Sequence, residues 1–263
     1  MIDKNTDELL RYQRQMIFPP FGLAGQRSVM ASRVLVVGVG GLGSWSAELL
    51  ARAGVGLLRL VDADTVDLTN VHRQAMYDES DVSAGRAKVI AAARHLSAVN
   101  SSIAVEPIVA RLDAGNVGSL GDRIDLIIDG TDNFATRYII NDFAVKRGKA
   151  WIFAGVVGAE AQIMPIIPGR TACLRCIHES PPPPCADPNC RSAGVLGPAV
   201  AAVAAMQAGE ALKILAGHEE DVSPYLLKMD FWANTVQRID AASASADLEC
   251  PCCKQGHFDF LAD

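Results

Sequence analysis

An apolar run that passes directly into a glycine-rich turn constrains this chain more than any other stretch. Residues 34–37 are apolar, and the turn that follows contains Gly38, Gly40, Gly41, Leu42 and Gly43. This is the pattern of a buried parallel strand that turns tightly into a helix. Glycines permit positive φ and close backbone approach, and the free N–H groups at a helix N-terminus attract an anion. The stretch therefore predicts a βαβ unit that binds phosphate.

A second strand and the polar residues beyond it indicate which nucleotide binds. Residues 57–62 form an apolar run that ends in Asp62, where a ribose hydroxyl requires an acceptor. By itself this arrangement is also typical of an NAD-binding domain or of a purely structural βαβ unit. Further polar residues follow the predicted strands or lie on the next helix: Asp64, Asn70, Arg73, Lys88 and Asp132.

These polar residues favour a triphosphate over a dinucleotide. The strand ends of a doubly wound sheet line one crevice, so we expect the side chains to lie close together. Arg and Lys neutralise phosphate oxygens, and a carboxylate binds Mg²⁺. Two cations, an amide and several carboxylates exceed the needs of a dinucleotide but suit a triphosphate with its metal. We therefore predict an ATP and Mg²⁺ site.

The composition narrows the class of protein. The chain has 263 residues, 24 basic and 30 acidic side chains, and a formal net charge of −6, with no basic block that would indicate nucleic-acid binding. The first residues are polar and acidic, so no signal peptide is expected. Residues 195–215 are apolar but are interrupted by Gln207, Glu210 and Lys213, which favours a core helix over a membrane span. We expect a soluble cytoplasmic protein.

The remaining pattern predicts an α/β fold with a Rossmann-like, mostly parallel sheet and helices on both faces. Further strands are expected at residues 103–108, 124–129, 150–156 and 162–167, with helices at 7–17, 22–32, 83–99, 114–120 and 134–147. No helix-length segment separates the last two strands, which predicts an antiparallel edge. Arg11 and Arg14 share one face of the first helix, where a solvated basic surface is the simplest interpretation.

The cysteines predict a structural metal. Cys173 and Cys176 form one Cys-x-x-Cys pair, and Cys250 and Cys253 form a second pair 77 residues further on. Two such pairs suit tetrahedral Zn²⁺, each pair forming a knuckle. Cys252 could replace Cys253 as a zinc ligand only if the second pair had the tighter spacing Cys-x-Cys. Between the pairs, residues 181–189 are rich in proline and predict a loop, directly followed by Cys190.

Taken together, these motifs resemble the ThiF/MoeB/HesA family, the bacterial relatives of ubiquitin-activating enzymes. The resemblance covers nearly the whole chain, residues 1–263, as a single domain. It implies amino-terminal helices in residues 1–32 and a nucleotide-binding core in residues 33–167. Residues 171–263 would then contain the zinc site, a crossover loop and the surface that binds the carrier. The matching segments are Arg11-Tyr-Gln-Arg14-Gln, Gly38-Val-Gly-Gly-Leu-Gly43, Asp62-Ala-Asp64, Leu68-Thr-Asn70-Val-His-Arg73-Gln, Lys88, Asp129-Gly-Thr-Asp132-Asn133 and the two Cys-x-x-Cys pairs.

The resemblance implies that ATP adenylates the C-terminal Gly-Gly carboxylate of a small ubiquitin-like sulfur-carrier protein, with release of pyrophosphate. It assigns the ribose to Asp62 and Mg²⁺ to Asp132. Arg14 would reach the site from the other subunit of a homodimer. The triphosphate is assigned to Asn70, Arg73 and Lys88, and Asn133 belongs to the same motif as Asp132. Attack of a carboxylate on the α-phosphate needs no strong base, so the catalysis implied is charge neutralisation and alignment.

The segment that begins at Cys190 resembles the thiazole-forming branch of thiamine synthesis more than the molybdopterin branch. The proline run and Val71-His72 depart from the family pattern, which leaves the identity of the carrier open. Sulfur is expected to come from a separate donor protein. Cys190 is a candidate for a persulfide or for a disulfide with the carrier, and a loop cysteine without a role is the alternative.

Two functions of other classes remain open on the sequence. An NAD-dependent oxidoreductase would need a catalytic acid or base beside the nicotinamide, and none stands out. A non-catalytic module that binds a ubiquitin-like protein could lose Arg73, Lys88 and Asp132, which this chain keeps. Carrier-stimulated exchange between ATP and pyrophosphate separates these functions from adenylation.

Overall fold

An eight-stranded sheet organises the computed structural model, which describes residues 9–181, 194–244, 246 and 249–262. The strands are β1 (Arg33–Val37), β2 (Leu57–Asp62), β3 (Ala104–Val109), β4 (Leu126–Asp129), β5 (Ala150–Val157), β6 (Glu160–Ile166), β7 (Leu226–Asp230) and β8 (Thr235–Ile239). Their order across the sheet is β3-β2-β1-β4-β5-β6-β7-β8. The first five strands are parallel, whereas β6, β7 and β8 are added in antiparallel pairs. The predicted α/β fold with an antiparallel edge is confirmed.

Helices cover both faces of this sheet. The described helices are α1 (Gln13–Met16), α2 (Gly22–Ala31), α3 (Gly41–Ala53), α4 (Leu68–Val71), α5 (Glu79–Ser83), α6 (Lys88–Val99), α7 (Val117–Leu120), α8 (Phe134–Arg147), α9 (Leu174–Ile177), α10 (Gly197–Leu215) and α11 (Ala241–Ala244), with a 3₁₀ turn at Glu219–Asp221. Side chains alternate along each strand, so every strand contributes to two apolar layers. One layer packs against α3, α6 and α10, and the other packs against α8 and the cysteine-containing segments.

Helix α10 is the most apolar helix that the structure describes. Its 19 residues have a mean hydropathy of 1.2, so by length and composition the helix could cross a membrane. In the fold, however, α10 packs against α3 and against strands β5 and β6 of the sheet. Gln207 in its centre is fully buried and donates hydrogen bonds to the carbonyl oxygens of Asp129 and Ile152 at 2.9 and 2.8 Å. This packing is that of the predicted core helix.

Several predicted boundaries are wrong. The helix expected over residues 7–17 is interrupted by a turn at residues 11–12 and resumes as α1. The helix expected from residue 83 or 84 is two elements, α5 and α6, and α6 begins only at Lys88. Strand β6 was also not the last strand, because the sheet continues through β7 and β8.

Candidate active site

A cleft of about 970 Å³ opens at the carboxyl ends of β1, β2, β4 and β5. It continues along the start of β6 and reaches β7. The cleft brings together most of the predicted site residues: Gly38, Gly40, Gly41, Leu42, Asp62, Asp64, Asn70, Arg73, Lys88, Asp132 and Asn133. Gly43 and Arg14 do not line it, and Cys190 lies outside the described residues.

The glycine turn is shaped by close backbone packing. Gly38 has a φ of +79°, and a Cβ there would lie 2.8 Å from the carbonyl oxygen of Gly130. A Cβ on Gly43 would collide with the carbonyl oxygen of Gly38. The absence of a side chain at Gly43 therefore lets the start of α3 pack closely against the end of β1. Gly41 and Leu42, the first residues of α3, line the cleft, and the free N–H groups of a helix N-terminus form a site for an anion.

Asp62 holds this turn from the neighbouring strand. One of its carboxylate oxygens accepts the N–H of Val39 at 2.9 Å, and the other accepts the N–H of Asp64 at 2.8 Å. The Tyr77 hydroxyl, which is buried, donates to the carbonyl of Val39 at 2.7 Å. Burial, reinforced by the Asp62 carboxylate, raises the pKa of Tyr77 well above its usual range, so this donor stays protonated. Each Asp62 oxygen retains a lone pair for a ribose hydroxyl.

The two predicted cations enter the cleft from different elements. Lys88 is the first residue of α6, and its ammonium lies 2.9 Å from the Asp64 carboxylate. Its side chain is only 9% exposed, whereas that of Asp64 is 51% exposed. Arg73 follows α4 and donates to the carbonyl of Thr69 at 2.6 Å. Because these groups already line the cleft, their positive charges are in place for phosphate oxygens.

Asp132 and Asn133 follow β4 and have different local roles. The Asn133 side chain is the N-cap of α8 and accepts the N–H of Thr136 at 2.9 Å, so it fixes the start of that helix. Asn70 has a similar role, because its side chain completes the capping box of α4. Asp132 is exposed, and the described part of the chain offers its carboxylate no hydrogen bond or ion pair. Its oxygens are therefore available for a cation.

Arg137 is a cleft residue that sequence reasoning missed. It is only 7% exposed, and its guanidinium forms an ion pair of 2.8 Å with the fully buried Asp129. It also donates to the carbonyl oxygens of Thr131 and Ala154, each at 2.9 Å. These contacts tie α8 to the turn that presents Asp132. The sequence signal that could have identified Arg137 is its position eight residues after Asp129, the acidic residue that ends the otherwise apolar strand β4.

The four cysteines of the two Cys-x-x-Cys pairs come together as predicted. The Sγ atoms of Cys173, Cys176, Cys250 and Cys253 all lie within 4.8 Å of one another. The distance from Cys173 is 3.7 Å to Cys250 and 3.8 Å to Cys176, and Cys176 lies 3.4 Å from Cys253. Tetrahedral Zn²⁺ with Zn–S bonds of about 2.3 Å places its sulfur ligands about 3.8 Å apart. The donor set therefore fits a structural zinc ion.

Cys252 has a different environment from these four residues. It is buried, and its sulfur accepts a hydrogen bond of 3.3 Å from the side chain of Asn141 on α8. Within the cluster, hydrogen bonds with Cys173 and Cys253 lower the pKa of Cys176 to about 2. Metals bind cysteine in its thiolate form. The arrangement favours Cys253 over Cys252 as the fourth ligand.

We expect about one zinc ion per chain in protein purified without chelators. Cys253→Ser removes a ligand and should abolish stoichiometric zinc and lower the melting temperature. Cys252→Ser is the matched control, because it changes the adjacent cysteine outside the four-sulfur set and should retain the metal. Elemental analysis together with thermal unfolding checks both variants. Loss of zinc from Cys252→Ser alone would reverse the assignment.

Comparison with known proteins identifies the family. Residues 12–252 match the ThiF family model. Over 252 residues the chain is 39% identical to the sulfur carrier protein ThiS adenylyltransferase of Bacillus subtilis, covering 96% of this chain and 74% of the relative. It is 37% identical to the sulfur carrier protein adenylyltransferase of Thermus thermophilus, covering 94% and 91%.

A solved structure agrees with the fold. The crystal structure of E. coli MccB with MccA-N7isoASN superimposes with a TM-score of 0.80 at 21% identity, covering 94% of this chain and 74% of that one. At this level of identity the similarity concerns the fold alone. The family model matches residues 12–252, and both curated relatives are named adenylyltransferases. The chain therefore belongs to the ThiF family and is an adenylyltransferase.

Proposed function

We propose that this protein transfers the adenylyl group of ATP to the C-terminal Gly-Gly carboxylate of a ubiquitin-like sulfur-carrier protein. The observation that supports this most is one cleft that joins the glycine turn, Lys88 and Arg73 to Asp132, whose carboxylate has no ion pair among the described residues. The relatives in B. subtilis and T. thermophilus are named for adenylation of sulfur-carrier proteins. Sulfur supplied by a separate donor protein then replaces AMP at the carrier's carbonyl carbon, and AMP leaves.

In this reaction a carrier carboxylate oxygen forms a bond to the α-phosphorus of ATP. The bond from that phosphorus to the α,β-bridging oxygen breaks, and pyrophosphate leaves with the electron pair. No proton needs to be removed from a carboxylate nucleophile. The protein therefore contributes alignment and charge neutralisation. We assign the ribose to Asp62, the α-phosphate to the N–H groups that begin α3, and the remaining phosphate charge to Arg73 and Lys88, beside Asn70.

Mg²⁺ fits the carboxylates at the same end of the cleft. Asp132 is exposed, and Asp64 is half exposed beside the Lys88 ammonium. Carboxylate oxygens are the ligands that Mg²⁺ takes from proteins, together with substrate phosphates. We assign the ion to Asp132. When bound, it would neutralise charge on the departing pyrophosphate.

We also propose that the active form is a homodimer in which Arg14 serves the cleft of the partner subunit. Arg14 is exposed on α1 and does not line the cleft of its own chain. Large apolar side chains near it are exposed too, with Leu10, Ile17 and Phe18 each about 61–62% exposed. Adjacent exposed apolar residues are typical of a surface that another subunit covers.

The carrier of the thiamine pathway is the favoured substrate. The relative in B. subtilis is named for ThiS, and the segment that begins at Cys190 resembles the thiazole-forming branch. The small carrier subunit of molybdopterin synthase is the alternative. Both proteins would offer the same terminal Gly-Gly, so the branch depends on contacts outside the reacting carboxylate.

Exchange of labelled pyrophosphate into ATP tests the reaction. We expect exchange to require an intact carrier and to stop when the carrier lacks its terminal Gly-Gly. ThiS should give a kcat/KM about tenfold or more above that of the molybdopterin carrier. The opposite ranking would reassign the branch without changing the reaction. Exchange that ignores both carriers would contradict the proposed function.

A further inference from the structure

Helix α8 presents a buried amide to the cysteine cluster. Asn141 lies in the second half of this helix and is fully buried. The apolar layer on this side of the sheet includes Ile140, Ala144 and Leu174. An amide without partners would be costly there, because burial removes its hydrogen bonds with water. The contacts that Asn141 makes therefore decide what a polar residue contributes at this position.

The Asn141 amide connects the two Cys-x-x-Cys pairs. Its Oδ1 accepts the N–H of Leu174 at 2.9 Å, and its Nδ2 donates to the Sγ of Cys252 at 3.3 Å. Leu174 directly follows Cys173 of the first pair, and Cys252 directly precedes Cys253 of the second pair. One amide therefore holds a residue adjacent to a ligand in each pair, although the pairs are 77 residues apart in the chain.

The hydrogen bond to Leu174 fixes the start of helix α9. This helix spans only Leu174–Ile177, and the first N–H groups of any α-helix have no acceptor within the helix. Cys173 is the N-cap residue, and its side chain makes no capping hydrogen bond. The Asn141 carbonyl supplies an acceptor from a different helix. It thereby orients the short helix that follows Cys173 and contains Cys176.

The next residue of α8, Asp142, makes a similar connection. It is fully buried, and its Oδ2 lies 3.5 Å from the guanidinium of Arg175 and accepts the N–H of Phe260 at 3.2 Å. Arg175 lies inside the first cysteine pair, and Phe260 lies in the segment after the second pair. Arg175 also donates to the carbonyl of His257 in that segment at 3.0 Å. Two consecutive residues of α8 thus join the parts of the chain that contain the cysteines.

The position of α8 does not depend on the cysteine cluster alone. The helix begins at the N-cap Asn133, and Arg137, one turn before Asn141, forms its ion pair of 2.8 Å with Asp129 at the end of β4. The central sheet therefore holds α8 from its first turns. An amide on a helix that is fixed in this way can place other segments before any metal arrives.

We propose that Asn141 is a positioning residue that assembles the two cysteine pairs before zinc binds. Ligands on two separate segments would otherwise have to be ordered by the metal itself, and that cost lowers the affinity. With Asn141 in place, the four sulfur atoms already lie within 4.8 Å of one another. Groups that orient metal ligands without touching the metal contribute about ten- to a hundredfold to the affinity.

Asn141→Leu tests this role, because leucine keeps the approximate size of the side chain but removes both hydrogen bonds. We expect the dissociation constant of Zn²⁺ for the full-length protein, measured by competition with a chelator, to rise about tenfold or more. Cys252→Ala removes only the bond to sulfur and should raise the dissociation constant less. The double variant should bind zinc no more weakly than Asn141→Leu alone, because the shared bond cannot be lost twice.

Asn100→Leu is the matched control. Asn100 is also fully buried and donates two hydrogen bonds of 2.8 Å, to the Tyr12 hydroxyl and to the carbonyl of Ala51, which belongs to the other apolar layer. It should lower the melting temperature as Asn141→Leu does but leave the zinc dissociation constant unchanged. That difference separates the placement of metal ligands from a general contribution to stability.

Three results would overturn the inference. One is an Asn141→Leu protein that melts earlier but binds zinc as tightly as the wild type. Another is a double variant whose loss of affinity is the product of the two separate losses, since Cys252 would then act independently of Asn141. If Asn141→Leu does not fold, Cys252→Ala decides, and unchanged zinc affinity in that variant is the third. A wild type that binds no zinc would overturn both this inference and the metal assignment.

Discussion

We expect Asp132→Ala to lower carrier-dependent exchange of pyrophosphate by roughly a hundredfold or more. The carboxylate of Asp132 is exposed in the cleft and has no ion pair within the described residues. Its removal therefore costs little folding stability but leaves the triphosphate without its proposed metal ligand. Asp132→Asn keeps the shape and one oxygen while it removes the charge, so it should recover only part of the activity.

Asp122→Ala is the control for Asp132→Ala. Asp122 lies in an exposed turn before β4, its side chain is 70% exposed, and it does not line the cleft. Both variants should melt near the wild-type temperature, and only Asp132→Ala should lose exchange. Titration with Mg²⁺ should show a raised metal requirement in Asp132→Asn. Near-normal exchange in Asp132→Ala would move the metal to another carboxylate of the cleft, with Asp64 the first to test.

Mixing two inactive variants should restore activity if Arg14 acts across a subunit interface. Arg14→Ala homodimers lack the arginine in both sites, and Asp132→Ala homodimers lack the carboxylate in both. A heterodimer contains one site with an intact Asp132 and with Arg14 supplied by the partner. Random pairing of equal amounts should therefore give about a quarter of the wild-type activity per chain.

The arginine itself should be required at position 14. Its planar guanidinium bridges two phosphate oxygens, whereas a lysine contacts them as a point charge, so Arg14→Lys should recover little. Arg11→Ala is a suitable control, because Arg11 donates to the carbonyl of Val99 within its own chain. Subunit exchange must be measured separately, for example with differently tagged chains. If tagged heterodimers form and remain inactive, Arg14 acts within its own chain or not at all.

The central strands of the parallel half, β1 and β4, were predictable because they are buried on both faces. Short apolar runs such as residues 34–37 and 124–129 stand out for that reason, and the acids that end β2 and β4 mark the cleft. Strand β8 was missed because it is an edge strand with four exposed residues out of five, so it has no apolar period. Strand β7 pairs with β6, about 65 residues earlier in the chain, a partnership that local sequence cannot indicate.

Other features differ in how far the local sequence predicts them. The turn at residues 11–12 coincides with two long-range contacts of Tyr12. Its ring packs against Gly54, and its hydroxyl accepts a hydrogen bond of 2.8 Å from the side-chain amide of Asn100. Asn70 and Asn133 were predicted from their place in motifs, and the structure adds that both cap helices. The cysteine cluster was predictable from spacing alone because tetrahedral coordination restricts where two Cys-x-x-Cys pairs can lie.

The packing of α10 determines when during synthesis the nucleotide cleft can form. Val200, near the start of this helix, lies against the glycine turn, and a Cβ on Gly41 would be 3.0 Å from its side chain. Because the glycine turn precedes α10 by more than 150 residues in the chain, it leaves the ribosome long before the helix that covers it. Until then the apolar side chains of β5 and β6 that α10 covers stay exposed, a state that is prone to aggregation. A nascent chain that stops before residue 197 therefore contains the phosphate-binding sequence without a stable phosphate-binding site.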